Sequence, residues 1–88
     1  MENQIMSWHC INVADADAVD LIEVLERGFA EAGKPPGVEV FHRRRGDGSH
    51  VFYLSPTASA LFGEILLAAR AVACGEPSVD DKRIRVRL

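Results

Sequence analysis

At 88 residues the chain has room for one small domain, and residues 1–88 are expected to form it. With 48% hydrophobic and 26% charged residues it is too apolar for a disordered tail, and a formal charge of −3 argues against a general nucleic-acid coat. Two cysteines, Cys10 and Cys74, show no CxxC spacing and make no disulfide framework.

Ile5 to Val13 reads as the first strand. Apolar groups fall on both its odd and even positions, as expected of a central strand with material on each face. A helix is expected from Asp15 or Asp17 to Ala32. Its early aspartates suit a helix N-terminus, and Ala18, Leu21, Ile22, Leu25, Phe29 and Ala32 form one apolar stripe. Gly33 fits the C-terminal cap, and Pro35-Pro36 prevents continuation.

Val38–Arg45 and Ser49–Ser55 read as a hairpin closed by the three-residue loop Gly46-Asp47-Gly48. That loop length pairs Val40 with Leu54 and His42 with Phe52, whereas a two-residue Asp47-Gly48 turn would slip the pairing by one and sort aliphatics from charges less well. The three-residue loop puts Val38, Val40, His42, His50, Phe52 and Leu54 on one face, and Glu39, Phe41, Arg43, Val51 and Tyr53 on the other. A second helix is expected from the N-cap Ser55 and Pro56 to about Cys74, with Gly75 and Pro77 beyond it. Its face opposite the core stripe offers Ala60, Gly63, Leu67, Arg70, Ala71 and Cys74, so the helix is apolar nearly all round. Residues 76–82 connect to a last strand, 83–88. There Ile84, Val86 and Leu88 should point inward and Arg83, Arg85 and Arg87 outward.

The order β-α-β-β-α-β predicts an α+β sandwich of the split βαβ, or ferredoxin-like, type. Its four-stranded antiparallel sheet would carry two helices on one face. The expected core is Ile11, Leu21, Ile22, Leu25, Phe29, Phe52, Leu54, Leu61, Ile65, Val72, Ile84 and Val86. The uncovered sheet face would show Phe41, Arg43, Tyr53, Arg85 and Arg87, which are the candidates for binding an anion or a partner. Trp8, Ala60, Gly63 and Leu67 are the candidates for an oligomer interface.

Charge is unevenly placed. Residues 1–42 have a net charge of −6 and residues 43–88 a net charge of +3. The densest polar cluster is His42-Arg43-Arg44-Arg45 with His50 across the hairpin. It has the chemistry of a phosphate or acidic-partner site, and its plainer reading is a solvated hairpin end. Neighbours in a strand point to opposite faces, so His9 and Cys10 cannot share a proton, and no catalytic residues are assigned. The three histidines lack metal-ligand spacing, so no metal or cofactor is expected. Met1-Glu2-Asn3-Gln4 has no basic n-region, and no apolar run reaches membrane-spanning length; a cytoplasmic protein without membrane contact is expected.

Three function classes follow. The foremost is a non-catalytic protein-interaction or homo-oligomerisation module. The second is a nucleic-acid-binding domain using the open sheet face. The third is a small enzyme or ligand binder whose site forms at a dimer interface, with His42, His50 or Tyr53 as acid–base groups.

Overall fold

The computed structural model describes residues 7–88, so the N-terminal tetrapeptide and the expected strand residues Ile5 and Met6 lie outside the described residues. The first strand, β1, spans Trp8–Val13. A single residue, Ala14, joins it to helix α1, Asp15–Glu31, so strand and helix fold back on each other tightly. Ala14 supplies no side-chain cap, and Asp15 and Asp17 lie in the first turn, where their charge opposes the helix dipole. Beyond α1, Gly33 takes φ +85°, and Lys34 N–H closes on the Phe29 carbonyl at 3.0 Å.

Strands β2, Val40–Arg44, and β3, His50–Leu54, form the hairpin with the register expected from the loop. Val40 faces Leu54, and His42 faces Phe52. The loop closes through Arg45 N–H to Ser49 O at 2.8 Å and Gly48 N–H to Arg45 O at 3.0 Å. Gly48 takes φ +90°, the left-handed position the three-residue loop needs.

The sheet has the order β2-β3-β1-β4 and is antiparallel throughout, with β1 and β3 central. Three helices pack on one face of it. Ala18 and Leu25 of α1, Ala58, Phe62 and Leu66 meet Ile11, Val40, Phe52 and Leu54 in a single buried cluster. Of the expected core, Leu21, Ile22, Phe29, Leu61 and Ile65 are partly buried against that cluster.

The second half of the chain departs from expectation at three places. The long second helix is two short ones, α2 (Pro56–Leu61) and α3 (Gly63–Ala68). Ser55 caps α2 as expected, its Oγ accepting from Ala58 N–H at 3.2 Å. The turn bends at Phe62, at φ −104° and ψ 34°, yet helical bonds run through it from Phe62 to Ala58 and from Leu66 to Phe62, both at 2.9 Å. The element is therefore one helix kinked so that Phe62 drives into the core.

The helix also stops short of Cys74. Arg70 adopts φ +56° and Ala71 N–H returns to the Leu66 carbonyl at 2.9 Å, which ends α3. The next residues, Val72–Cys74, form the fourth strand, β4, beside β1. Val72 is 56% exposed, not a core residue. The apolar run Ala71-Val72-Ala73-Cys74 fits either period, and β-branched Val72 favours the extended one.

Finally, residues 83–88 are not the sheet's fourth strand. They run along the outer edge of β2, where His42 N–H bonds Ile84 O at 2.9 Å and Val86 N–H bonds Val40 O at 2.8 Å. The alternation holds in part: Val86 enters the core, whereas Ile84 is 54% exposed. To reach β2 from β4 the chain crosses the sheet face that carries no helix. A short 3-10 turn, Asp80–Lys82, lies against β2, and Lys82 Nζ sits 5.4 Å from the Trp8 ring centre and 5.8 Å from that of Phe41. The face expected to be uncovered is thus largely covered, and Phe41 and Val51 on it are buried. Among the described residues no helix is long and apolar enough to cross a membrane.

Candidate functional site: a histidine relay beside an arginine cleft

The β2–β3 register puts His42 and His50 on the helix-side face as diagonal neighbours across the hairpin. The β1–β3 register puts His50 opposite Val13, two residues before Asp15. The short link at Ala14 therefore delivers Asp15, in the first turn of α1, onto the buried His50 ring. Asp15 Oδ1 lies 2.7 Å from His50 Nε2, and His50 Nδ1 lies 2.5 Å from His42 Nε2. The two imidazole planes differ by 12°, and their centroids are 4.7 Å apart. That separation is the nitrogen–nitrogen distance plus a ring radius at each end, so the rings meet edge to edge and not face to face. On its other side His42 stacks over Phe52 at 4.6 Å.

The chain of bonds has a direction. A carboxylate only accepts, so His50 donates from Nε2–H to Asp15. In neutral His50 the other nitrogen, Nδ1, then accepts, and His42 donates to it from Nε2–H. What remains is the bare Nδ1 of His42. It has no hydrogen-bond partner among the described residues, and no such atom there is sealed from solvent. Burial, and then the neighbouring His50, hold His42 below its ordinary pKa of 6.5. The bond from His50 holds the Asp15 carboxyl below the usual range, aided by the charge of Arg44.

His42 lines a cleft of about 410 Å³ together with Arg43, Arg44, Asp80, Arg83 and Ile84. The C-terminal edge pairing builds this cleft by bringing the second basic segment beside the first. Residues 39–45 and 80–88 carry seven basic side chains (Arg43, Arg44, Arg45, Lys82, Arg83, Arg85, Arg87) against Glu39, Asp80 and Asp81. Several of these are internally paired. Arg43 bonds Asp81 at 2.5 Å, Arg83 meets Asp80 at 3.1 Å, and Arg85 bonds Glu39 at 2.6 Å. The Asp81 bond raises the Arg43 pKa, and Arg43 in turn lowers the Asp81 carboxyl. Arg44 lines the cleft with no carboxylate within salt-bridge distance among the described residues.

The other candidates are dispersed. Phe41 is buried beneath Lys82 and Arg85, so its ring offers no free stacking surface. Tyr53 is half-buried, and desolvation raises its hydroxyl pKa. Arg87 is exposed on the C-terminal edge. Trp8 is half-buried and stacks on Phe41 at 6.1 Å, on the sheet face away from Ala60, Gly63 and Leu67. Ala60 and Gly63 are exposed and line a groove of about 430 Å³ between α1 and the kinked helix, and Leu67 is 83% exposed.

Cys10 and Cys74 sit diagonally across β1 and β4. Burial, together with its thiol bond to Cys10, pushes the Cys74 thiol up to about 12. Among the described residues no group of three or more His, Cys, Asp or Glu side chains is arranged to hold a metal ion.

The sequence groups His42, Arg43, Arg44, Arg45 and His50 in one cluster; Arg45 is not among the residues lining the cleft, and Asp15 and Arg83 join the group only in the fold. Asp15 was legible only as a helix-start residue, because its role depends on the β1–β3 register. Arg83 joins through an edge pairing that alternation alone does not specify. No protein-family model, curated protein or solved structure matches this chain.

Proposed function

We propose that the chain is a non-catalytic binding module that holds a phosphate-bearing ligand in the cleft between β2 and the C-terminal edge segment. The observation behind this reading is the convergence of Arg43, Arg44, Arg83 and His42 on one concavity, with Arg44 free of a carboxylate partner among the described residues. Guanidinium groups grip phosphate oxygens bidentately, and the cleft volume falls in the range of small-ligand sites. Isothermal titration with inorganic phosphate, a phosphoserine peptide and a single-stranded oligonucleotide tests the reading and separates the sources of the phosphate. Arg44→Ala should weaken the preferred probe roughly tenfold, the value of one charge-assisted bond. Equal affinity in wild type and Arg44→Ala would contradict it.

The fold itself reads as a variant of the split βαβ arrangement, supported by the sheet order and by the helices sharing one face. The variant has a short fourth strand and an added edge segment.

A second reading, self-association, is favoured by a separate observation. The outer edge of β4 pairs with nothing among the described residues, its own Val72 is 56% exposed, and Leu67 near the end of α3 is 83% exposed.

A further inference from the structure

We propose that ligand binding in this cleft is coupled to uptake of one proton at His42 Nδ1, so that the relay from Asp15 through His50 makes the site a proton-linked anion receptor. The proposal rests on the reading of the cleft as a phosphate site and adds how that site is regulated.

The geometry supplies the argument. His42 lines a cleft that should receive an anion, and in the neutral relay its Nδ1 keeps a bare lone pair open to solvent. A lone pair repels a phosphate or sulfate oxygen, whereas an N–H at the same atom donates to it. One proton from solvent, added at Nδ1, converts the atom from acceptor to donor. The resulting charge is bracketed. The bound dianion lies on one side, and on the other His50 can take the Nε2 proton while Asp15 Oδ1, 2.7 Å from His50 Nε2, balances it.

The groups around His42 decide when the proton is held. His50 and Phe52 face it from β3, Asp15 reaches it through His50 from α1, Arg43 and Arg44 flank it on β2, and Asp80 and Arg83 face it across the cleft. In the empty cleft burial, and then the neighbouring His50, favour the neutral form of His42. A dianion reverses the balance. Ligand therefore raises the proton affinity of His42, and by reciprocity the proton raises the affinity for ligand.

Sulfate is the probe, because it stays a dianion over the whole working range and any pH dependence must come from the protein. Sulfate affinity should be roughly tenfold higher at about pH 6 than at about pH 8, the scale of a single linked proton. In His42→Gln that difference should fall below about twofold. In Asp15→Asn, where His50 keeps a neutral acceptor but loses the charge, the rise in affinity should move to lower pH.

Proton NMR of wild-type protein provides a readout that needs no variant: the His42 ring titration should move to higher pH when sulfate is added. Measurable sulfate binding that is equal at both pH values, or a pH dependence retained in His42→Gln, overturns the proton linkage and leaves the phosphate reading standing. A His42 titration unmoved by bound sulfate overturns it as well. Absence of sulfate binding at either pH overturns both.

Discussion

His42 is more costly to protonate when folded than when unfolded, and this has a consequence for stability. Its folded pKa lies below the ordinary value of 6.5, so the folded state binds fewer protons than the unfolded chain as pH falls. The stabilisation is fully present above about pH 6.5 and is lost as pH falls through the folded pKa. Asp15, Asp47 and Asp81 are also depressed, below the ordinary value of 3.8. Their contribution is present above that value and is lost as pH falls through their folded pKa values. Urea melts without added anion should therefore weaken in two steps, the first just below neutrality and the second in acid. His42→Gln should lack the first step and keep the second. A flat midpoint between about pH 7 and about pH 5 would contradict the burial of His42 as described.

Gly28 is the other residue where the sign of an effect can be argued. A Cβ there would sit 3.0 Å from the Phe62 ring, and Phe62 is only 3% exposed. Alanine gains about 1 kcal/mol of helix propensity over glycine, but overpacking a core contact costs about 1–3 kcal/mol. Gly28→Ala should therefore destabilise by about 1 kcal/mol in denaturant melts. A gain in stability would mean that the ring has room to move.

At the scale of elements, the C-terminal segment does two jobs. It places Val86 in the core and satisfies the backbone of β2 that would otherwise be a bare edge. Val86→Ala should cost about 1–2 kcal/mol through lost apolar burial. Removing residues 84–88 should cost more and leave β2 free to pair with another copy, visible as concentration-dependent light scattering. A truncated chain that remains as stable and as monodisperse as the full one would contradict the edge assignment.

The same segment shows what was legible beforehand and what was not. The hairpin was legible to its register, because a three-residue loop with Gly48 sorts Val40, Phe52 and Leu54 from Arg43 and Tyr53 better than the pairing a two-residue turn would give. Helix α1 was legible from its stripe and the Gly33 stop. The alternation at 83–88 correctly gave extended chain with Val86 inward, but period alone does not say which edge such a strand joins. The true fourth strand, Val72–Cys74, was hidden because an apolar tetrapeptide following a helix reads as more helix. Its boundary, Arg70 at φ +56°, lacks the glycine that usually marks such a stop. With strand 4 misplaced, the crossing segment at 75–83 and the cover it gives Phe41 followed as errors. The cleft was half legible: its β2 arginines and both histidines stood out, whereas Asp15 and Arg83 arrive through tertiary pairing.

For the whole molecule, net charge and local charge point in different directions. The chain is −3 overall, with a basic edge beside β2 while residues 1–42 carry a net charge of −6. Anion binding at the cleft should therefore be weakened by salt, while long polyanions meet repulsion from the rest of the surface. A single-stranded oligonucleotide should bind less tightly than a compact phosphate probe of comparable charge per contact. Self-association should use the β4 side, away from the cleft. Leu67→Glu should shift any dimer seen by light scattering toward monomer without altering the melt of the fold, whereas an unchanged mass would place the contact elsewhere.

If the basic edge is a built anion site and not merely a solvated one, its residues should respond to an anion as a unit. The most direct measurement is backbone amide NMR during titration with sulfate at about pH 6. Amides of His42, Arg43, Arg44, Arg83 and Ile84 should shift together along one saturating curve. Shifts that are absent, or that scatter over unrelated basic residues such as Lys34 and Arg70 without saturating, would contradict a built site.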